Sequence, residues 1–171
     1  DRPAGCSVAD ARASEEAALA TITARDRLIV ALDFPALDAA RAFAARLGPA
    51  VTFYKIGLEL AMSGGLELAR ELSGQGKQVF LDMKLLDIEN TVERATRSAA
   101  KTGATFLTVH AHDSKTLRAA LAGKAATDLR VLAVTVLTNL DDGDLREQGH
   151  TDTAEELVAR RAKLAHEAGC D

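Results

Sequence analysis

The stretch Val79-Phe80-Leu81-Asp82-Met83-Lys84-Leu85-Leu86-Asp87-Ile88-Glu89-Asn90-Thr91 holds the residues best suited to chemistry, because an apolar run meets three charged groups there. The run has strand character, and alternate residues of a strand share a face, so Asp82 and Lys84 are expected to point the same way as Phe80. A carboxylate beside an ammonium keeps the ammonium charged. A cation held in this way can steady developing negative charge and then deliver a proton. Asp87 and Thr91 are four apart where a helix is expected to begin, which puts them on one helical face near the strand's carboxyl end. Parallel α/β sheets keep their chemistry at that end.

An ordinary surface ion pair would account for Asp82 and Lys84 alone. Such a pair contributes about 0–1 kcal/mol and needs no apolar run beside it. The fixed offsets to Asp87 and Thr91, and a second lysine upstream at Lys55, move the reading from a surface pair toward a site.

Several elements must position these groups. Leu28-Ile29-Val30-Ala31-Leu32 is an unbroken apolar run that suits a strand covered on both faces, and it ends at Asp33. After Pro35 an amphipathic helix is expected up to Leu47, with Gly48-Pro49 as its stop and a second strand from Val51 that carries Lys55 and ends near Gly57. A helix over about Leu66 to Leu72 and the Gly74-Gln75-Gly76 turn lead into the strand of Asp82 and Lys84, and a further helix runs through Ser98. Thr105 to Val109 reads as strand four, running into His110-Ala111-His112-Asp113, with Leu117 to Leu121 on the next helix. Leu129 to Leu137 reads as strand five, ending at Thr138-Asn139; Asp141 to Gly149 reads as a polar loop with room for one helical turn, and a helix is expected from about Thr153 to Glu167.

Five strand–helix units at spacings of about twenty-five residues call for a parallel α/β sheet with right-handed crossovers. An open dinucleotide-binding sheet would carry a glycine-rich turn after its first strand, where this chain has Asp33-Phe34-Pro35. A (β/α)₈ TIM barrel is therefore expected, with function spread over the strand ends at Asp33, Lys55, Asp82, Lys84, His110 and Thr138. A whole barrel takes roughly 250 residues. These 171 residues thus read as a barrel truncated after its fifth βα unit, with Ala168-Gly169-Cys170-Asp171 turning toward a sixth strand.

Composition limits the rest. Hydrophobic residues make up 47% of the chain, enough for one substantial core, which residues 25–171 are expected to build as a partial barrel. Residues 1–24 are rich in Ala, Ser and Glu and read as an extension, disordered or with a short helix over Ala11 to Leu19. The net charge of -4, with Lys and Arg spread along the chain, offers no footprint for nucleic acid or for an anionic membrane. Cys6 and Cys170 match no disulfide framework or metal spacing, and no stretch reaches the length of a membrane span, so a cytoplasmic protein acting on a small molecule is expected.

With these residues in place, the sequence resembles the orotidine 5′-monophosphate decarboxylase family from about Arg27 to Asp171. The family's Asp-x-Lys-x-x-Asp-Ile-x-x-Thr stretch stands here as Asp82, Lys84, Asp87, Ile88 and Thr91. Asp33, Lys55 within Tyr54-Lys55-Ile56-Gly57, the Val109-His110-Ala111 strand end and Val134-Thr135-Val136-Leu137-Thr138 match in the same order. The resemblance implies decarboxylation of orotidine monophosphate to uridine monophosphate, in pyrimidine synthesis, with no metal and no cofactor. It implies Lys84 as proton donor to C6 and Asp82 as the carboxylate beside the departing one. Asp33 and Lys55 would hold the ribose hydroxyls, and Thr138 would contact the pyrimidine. It also implies a homodimer in which Asp87, Ile88 and Thr91 are lent to the partner's site. Glu89 stands where the family often has Pro; both suit the start of a helix. The family's phosphate-binding loop and Arg, from the last strands, have no counterpart in these residues.

Two other chemistries compete. A Mg²⁺-dependent sugar-phosphate decarboxylase or lyase of the same barrel group resembles the Asp-x-Lys-x-x-Asp pattern, but it carries an acidic metal ligand where this chain has Lys55, and an ammonium there would repel the ion. His110 and His112, two apart at a strand end, could join Asp113 or Asp33 as a metal-dependent hydrolase. An inactive barrel fragment is the non-enzymatic alternative.

Overall fold

The computed structural model describes residues 25–171; the expected N-terminal extension, residues 1–24, lies outside the described residues. Strand β1 covers Val30–Ala31 and is followed by helix α1 at Leu37–Leu47. Strand β2 is Phe53–Gly57, and after a helical turn at Leu58–Leu60 and a wider one at Ala61–Gly65 comes α2 at Leu66–Gly74. Then follow β3 (Gln78–Leu85), α3 (Glu89–Ala100), β4 (Phe106–His110), α4 (Ser114–Lys124) and β5 (Arg130–Val134). Two further helices, α5 (Asp142–Glu147) and α6 (Ala154–Ala168), complete the described chain.

All strand pairs are parallel, and the sheet order β1-β2-β3-β4-β5 is the order of the sequence. A doubly wound sheet reverses its order at a switch point, whereas a barrel adds each strand beside the last. The fold is therefore the α/β class read from the sequence, in the arrangement of the first five units of a (β/α)₈ barrel.

Register divides the sheet into two faces. Tyr54 pairs with Val79, Ile56 with Leu81, Leu81 with Leu107 and Leu107 with Val131, and all of these are fully buried beneath the helices. All but Val131 pack with Ala40 and Ala44 of α1 and Leu68, Ala69 and Leu72 of α2, while Val131 packs with Leu117 and Ala120 of α4. Burial of this kind, at roughly 25 cal/mol per Å² of apolar surface, is the main force holding helices to sheet. Farther along, Gly123 lets α4 lie against α3: a Cβ there would come 2.4 Å from the Glu93 carbonyl oxygen, so only glycine allows this approach.

The opposite, inner face carries the charges. Ala31 pairs with Lys55, Lys55 with Phe80, Phe80 with Phe106 and Phe106 with Arg130, so all five share that face. Phe106 is the hub of an aromatic floor, 5.5 Å from the Phe53 ring and 6.0 Å from the Phe80 ring, with the Arg130 guanidinium 5.9 Å from its centre. Toward the carboxyl ends, polar groups replace these rings.

Three elements differ from the sequence reading. Strand β5 stops at Val134 rather than Leu137, because β4 ends at His110 and the last ladder contact is the Ala111 N–H donating to the Val134 carbonyl at 2.9 Å. Strand β1 is reduced to Val30–Ala31, since it pairs only with β2, and Leu28 and Ile29 remain exposed. The segment read as a polar loop with room for one helical turn contains the six-residue α5, started by a reciprocal cap. Asp141 accepts from the Gly143 and Asp144 amides at 2.7 and 3.0 Å, and Asp144 accepts from the Asp141 amide at 2.9 Å. After α6, the Asp171 amide donates to the Val131 carbonyl at 3.1 Å and its carboxylate accepts from the Val131 amide at 2.9 Å, so this residue adds to β5 on its free side. No helix among the described residues is long and apolar enough to cross a membrane.

Candidate active site

Four charged side chains from three strands meet on the inner face. Asp33 lies just beyond β1, and the Lys55 ammonium, from β2, donates to its Oδ1 at 3.0 Å. The same ammonium is 4.0 Å from Asp82 Oδ2 on β3. Asp82 Oδ1 accepts from the Lys84 ammonium at 2.7 Å. The result is a row, Asp33, Lys55, Asp82, Lys84, in which the sign of charge alternates. The inner members are the more sheltered: side-chain exposure is 18% for Asp82 and 23% for Lys55, against 65% for Asp33.

Alternation is what lets the row exist. Two ammonium groups on a half-buried face would repel each other, and placing a carboxylate between them turns the repulsion into attraction on both sides. Burial pushes the Asp82 carboxyl up, but hydrogen bonds from Lys84 and Thr108, together with the charges of Lys84 and Lys55, outweigh it and hold Asp82 below its ordinary value. The carboxylate therefore stays ionised at neutral pH, next to a cation that can donate.

Lys84 does not continue the strand regularly. Its φ is +49°, and the pairing of β3 with β4 shifts register between Leu81 and Leu85. A non-glycine residue in this left-handed region carries strain that the surroundings must hold in place. The departure still leaves the side chain on the Asp82 side, as alternation alone would have it.

The residues expected beside the row are placed differently. Helix α3 begins at Glu89, one residue after its extended N-cap Ile88, so Asp87 precedes the helix and does not share a helical face with Thr91. The Asp87 carboxylate accepts from the Ile88 amide at 2.6 Å, a local side-chain bond of the kind that competes with helical pairing. Asp87, Ile88 and Thr91 are all exposed, Ile88 to 72%. Among the described residues, no hydrogen bond or ion pair joins Asp87 to the row. Thr138, read as a strand end, lies in the loop beyond β5 and is exposed, because the strand stops at Val134.

The histidine pair is built as a stack. The His110 and His112 rings are stacked, with centroids 4.8 Å apart and planes 4° from parallel. Burial, followed by the charge of Arg161, lowers both below their ordinary values. Asp113 is not turned toward them: it caps α4, accepting from the Thr116 amide at 2.8 Å and from its hydroxyl at 2.9 Å. Asp33 is engaged with Lys55. Among the described residues, no group of three or more His, Cys, Asp and Glu side chains is arranged to hold a metal ion.

Comparison with known proteins bears on this geometry. The model of the Orotidine 5′-phosphate decarboxylase / HUMPS family matches residues 26–171. The chain belongs to this family. It is 58% identical over 148 residues to the orotidine 5′-phosphate decarboxylase of Bradyrhizobium sp. (strain BTAi1 / ATCC BAA-1182), covering 86% of this chain and 60% of that protein. It is 57% identical over 147 residues to the protein of the same name from Methylobacterium radiotolerans, covering 86% of this chain and 63% of that one. The chain thus spans about three-fifths of the length of the curated relatives it matches. Among solved structures, the orotidine 5′-phosphate decarboxylase of Lactobacillus acidophilus superposes with a TM-score of 0.78 at 37% identity, over 84% of this chain and 68% of that one. An uncharacterized conserved protein from Geobacillus kaustophilus matches equally well, with a TM-score of 0.78 at 37% identity over 84% of this chain.

Two residues of this family member escaped the sequence reading. Thr108, on β4, is 5% exposed; its hydroxyl donates to Asp82 Oδ1 at 3.0 Å and accepts from the Lys84 amide at 2.9 Å. Its signal was the polar residue at an inner position of Phe106-Leu107-Thr108-Val109-His110, two before the histidine. Arg161 is 7% exposed in α6, and its guanidinium donates to the Thr135 carbonyl at 2.7 Å, tying the helix to the segment just after β5. Nothing in the spacing of Arg161 distinguishes it from the exposed Arg160 beside it.

Proposed function

We propose that the protein decarboxylates orotidine 5′-monophosphate to uridine 5′-monophosphate, with Lys84 as proton donor and with no metal or cofactor. The observation that carries this reading is the alternating row Asp33, Lys55, Asp82, Lys84 at the carboxyl ends of the strands. Relatives of this chain bear the name of that activity.

The chemistry needs what the row supplies. When the C6–carboxylate bond breaks, CO₂ leaves and the electron pair stays on C6 in the ring plane, where the ring carbonyls cannot take it up by conjugation. An ammonium held beside C6 stabilises that pair and then transfers a proton to it, forming the new C6–H bond; the neutral amine regains its proton from solvent. Asp82 fixes the Lys84 ammonium and lies beside the departing carboxylate. Asp33 and Lys55 hold the ribose hydroxyls, and Thr138 reaches the pyrimidine from its loop. The Lys55 ammonium, between two carboxylates, occupies the place a divalent cation would need, which disfavours the magnesium-dependent chemistry.

The working unit on this reading is a cytoplasmic homodimer. The exposure of Asp87, Ile88 and Thr91, with the Asp87 carboxylate bonded locally rather than to its own row, suits residues lent to the partner subunit's site. Residues 25–171 form part of a catalytic barrel, consistent with a family match that starts at residue 26.

Loss of orotidine monophosphate absorbance tests both parts in the full-length protein. Turnover is expected and should survive chelation; no turnover, or turnover abolished by chelator, contradicts the reaction. Mixing inactive Lys84→Ala and Asp87→Ala subunits should restore part of the activity, because one of the two mixed sites then holds both native residues. No recovery would mean that each site is self-contained.

A further inference from the structure

Thr108 links the backbone of Lys84 to the group that holds its side chain. The Lys84 amide, freed from the ladder by the register shift in β3, donates to Thr108 Oγ1 at 2.9 Å. That hydroxyl donates to Asp82 Oδ1 at 3.0 Å, and the same Oδ1 accepts from Lys84 Nζ at 2.7 Å. The three bonds close a ring: lysine amide to hydroxyl, hydroxyl to carboxylate, carboxylate back to the lysine ammonium. Thr108 is buried and comes from the neighbouring strand β4, so it is an anchor independent of the bulge it restrains.

Only two non-glycine residues among the described ones have a positive φ, Lys84 at 49° and Ala126 at 62° in the turn after α4. Strained backbone persists where its surroundings over-determine it. Here the determinant at Lys84 is a single hydroxyl whose acceptor role fixes the strain and whose donor role fixes the counter-ion. We propose that Thr108 is a positioning residue for the reaction: it sets where the Lys84 ammonium lies by holding the left-handed backbone of Lys84 and the Asp82 carboxylate together. The role rests on the decarboxylase reading for its effect on rate, but the geometry it enforces does not.

Thr108→Val keeps the shape and removes both bonds; Thr108→Ser restores the hydroxyl. In the full-length protein, Thr108→Val is expected to lower kcat about 10- to 100-fold, the scale of a lost hydrogen bond to a charged group, with KM changed less than about threefold. Thr108→Ser should return kcat to within about fivefold of the parent. Asp82 is faced by Lys84 on its own strand, by Lys55 from β2 with Asp33 behind it, and by Thr108 from β4, while His110 at the end of β4 feels the charge of Lys84. Losing the Thr108 donor leaves the two lysines as its support, so the acid limb of kcat/KM should move to higher pH in the valine variant alone. A change in KM with kcat and the acid limb unmoved would overturn the proposal, as would a serine variant no better than valine.

A crystal structure of Thr108→Val separates this role from the reaction itself. Lys84 should leave the left-handed region and its ammonium should move from Asp82 Oδ1. An unchanged φ and an unchanged contact would overturn the positioning role whatever the assay shows. A parent enzyme that fails to turn over orotidine monophosphate would overturn the reaction, and the variant structure would still decide the role of Thr108.

Discussion

Replacing Lys84 with alanine should lower kcat by about 10⁴-fold or more while uridine monophosphate still binds within about tenfold of the parent. A positioned general acid contributes about 10²–10⁴-fold, and a charge aimed at the developing anion contributes at least a comparable factor. On the proposed reading both are asked of one ammonium, 2.7 Å from its carboxylate partner. The product carries no anion at C6, so its affinity depends chiefly on groups that touch the ribose, the phosphate and the ring. Steady-state assay paired with calorimetric titration of product makes the comparison. A variant within tenfold of the parent in kcat would remove Lys84 from the proton transfer.

Asp82→Asn should be the next most damaging change, lowering kcat by about 10²–10³-fold. Three donors converge on this carboxylate: Lys84 and Thr108 at Oδ1, and Lys55 toward Oδ2. An amide in its place presents an N–H to at least one of them, and two ammonium groups then face a neutral side chain with nothing between them. The same residue sets a pH dependence. Burial opposes ionisation of Asp82, but the bonds from Lys84 and Thr108 prevail and its folded value is depressed. Its contribution to stability is thus fully present above the unfolded carboxyl value of about 3.9 and is lost as pH falls through the lower folded value. Thermal denaturation at successive pH values should show the parent losing more stability than Asp82→Asn below about pH 4. Parallel curves for the two proteins would mean that the row does not hold this charge.

The strand framework was legible because buried parallel strands write themselves as unbroken apolar runs, and each run here ended at a charged or polar residue: Asp33 after Leu32, and Asp82 and Lys84 closing Val79-Phe80-Leu81. Alternation then put Asp82 and Lys84 on one face even though Lys84 leaves the strand conformation. What sequence could not supply was register. That Lys55 sits across from Phe80 and Gly57 from Asp82 decides which lysine reaches which carboxylate, and Thr108 enters the site only through the pairing of β3 with β4. Apolar patterning also over-extended β5, since Thr135-Val136-Leu137 are strand-like in type but have no strand to pair with once β4 has ended, and this moved Thr138 off the strand. Two helix starts differ from the pattern. The Asp141/Asp144 cap extends α5 to six residues where the polar stretch calls for no more than one helical turn, and Asp87 precedes a helix that begins two residues later.

The proposed reaction turns on where the Lys84 ammonium lies relative to the reacting carbon. A crystal structure of the full-length protein with bound uridine monophosphate should show Lys84 Nζ within about 3–3.5 Å of C6, with Asp82 bridging it to Lys55 and with Lys55 and Asp33 on the ribose hydroxyls. Uridine monophosphate bound with C6 turned away from Lys84, or seated outside the row altogether, would contradict it.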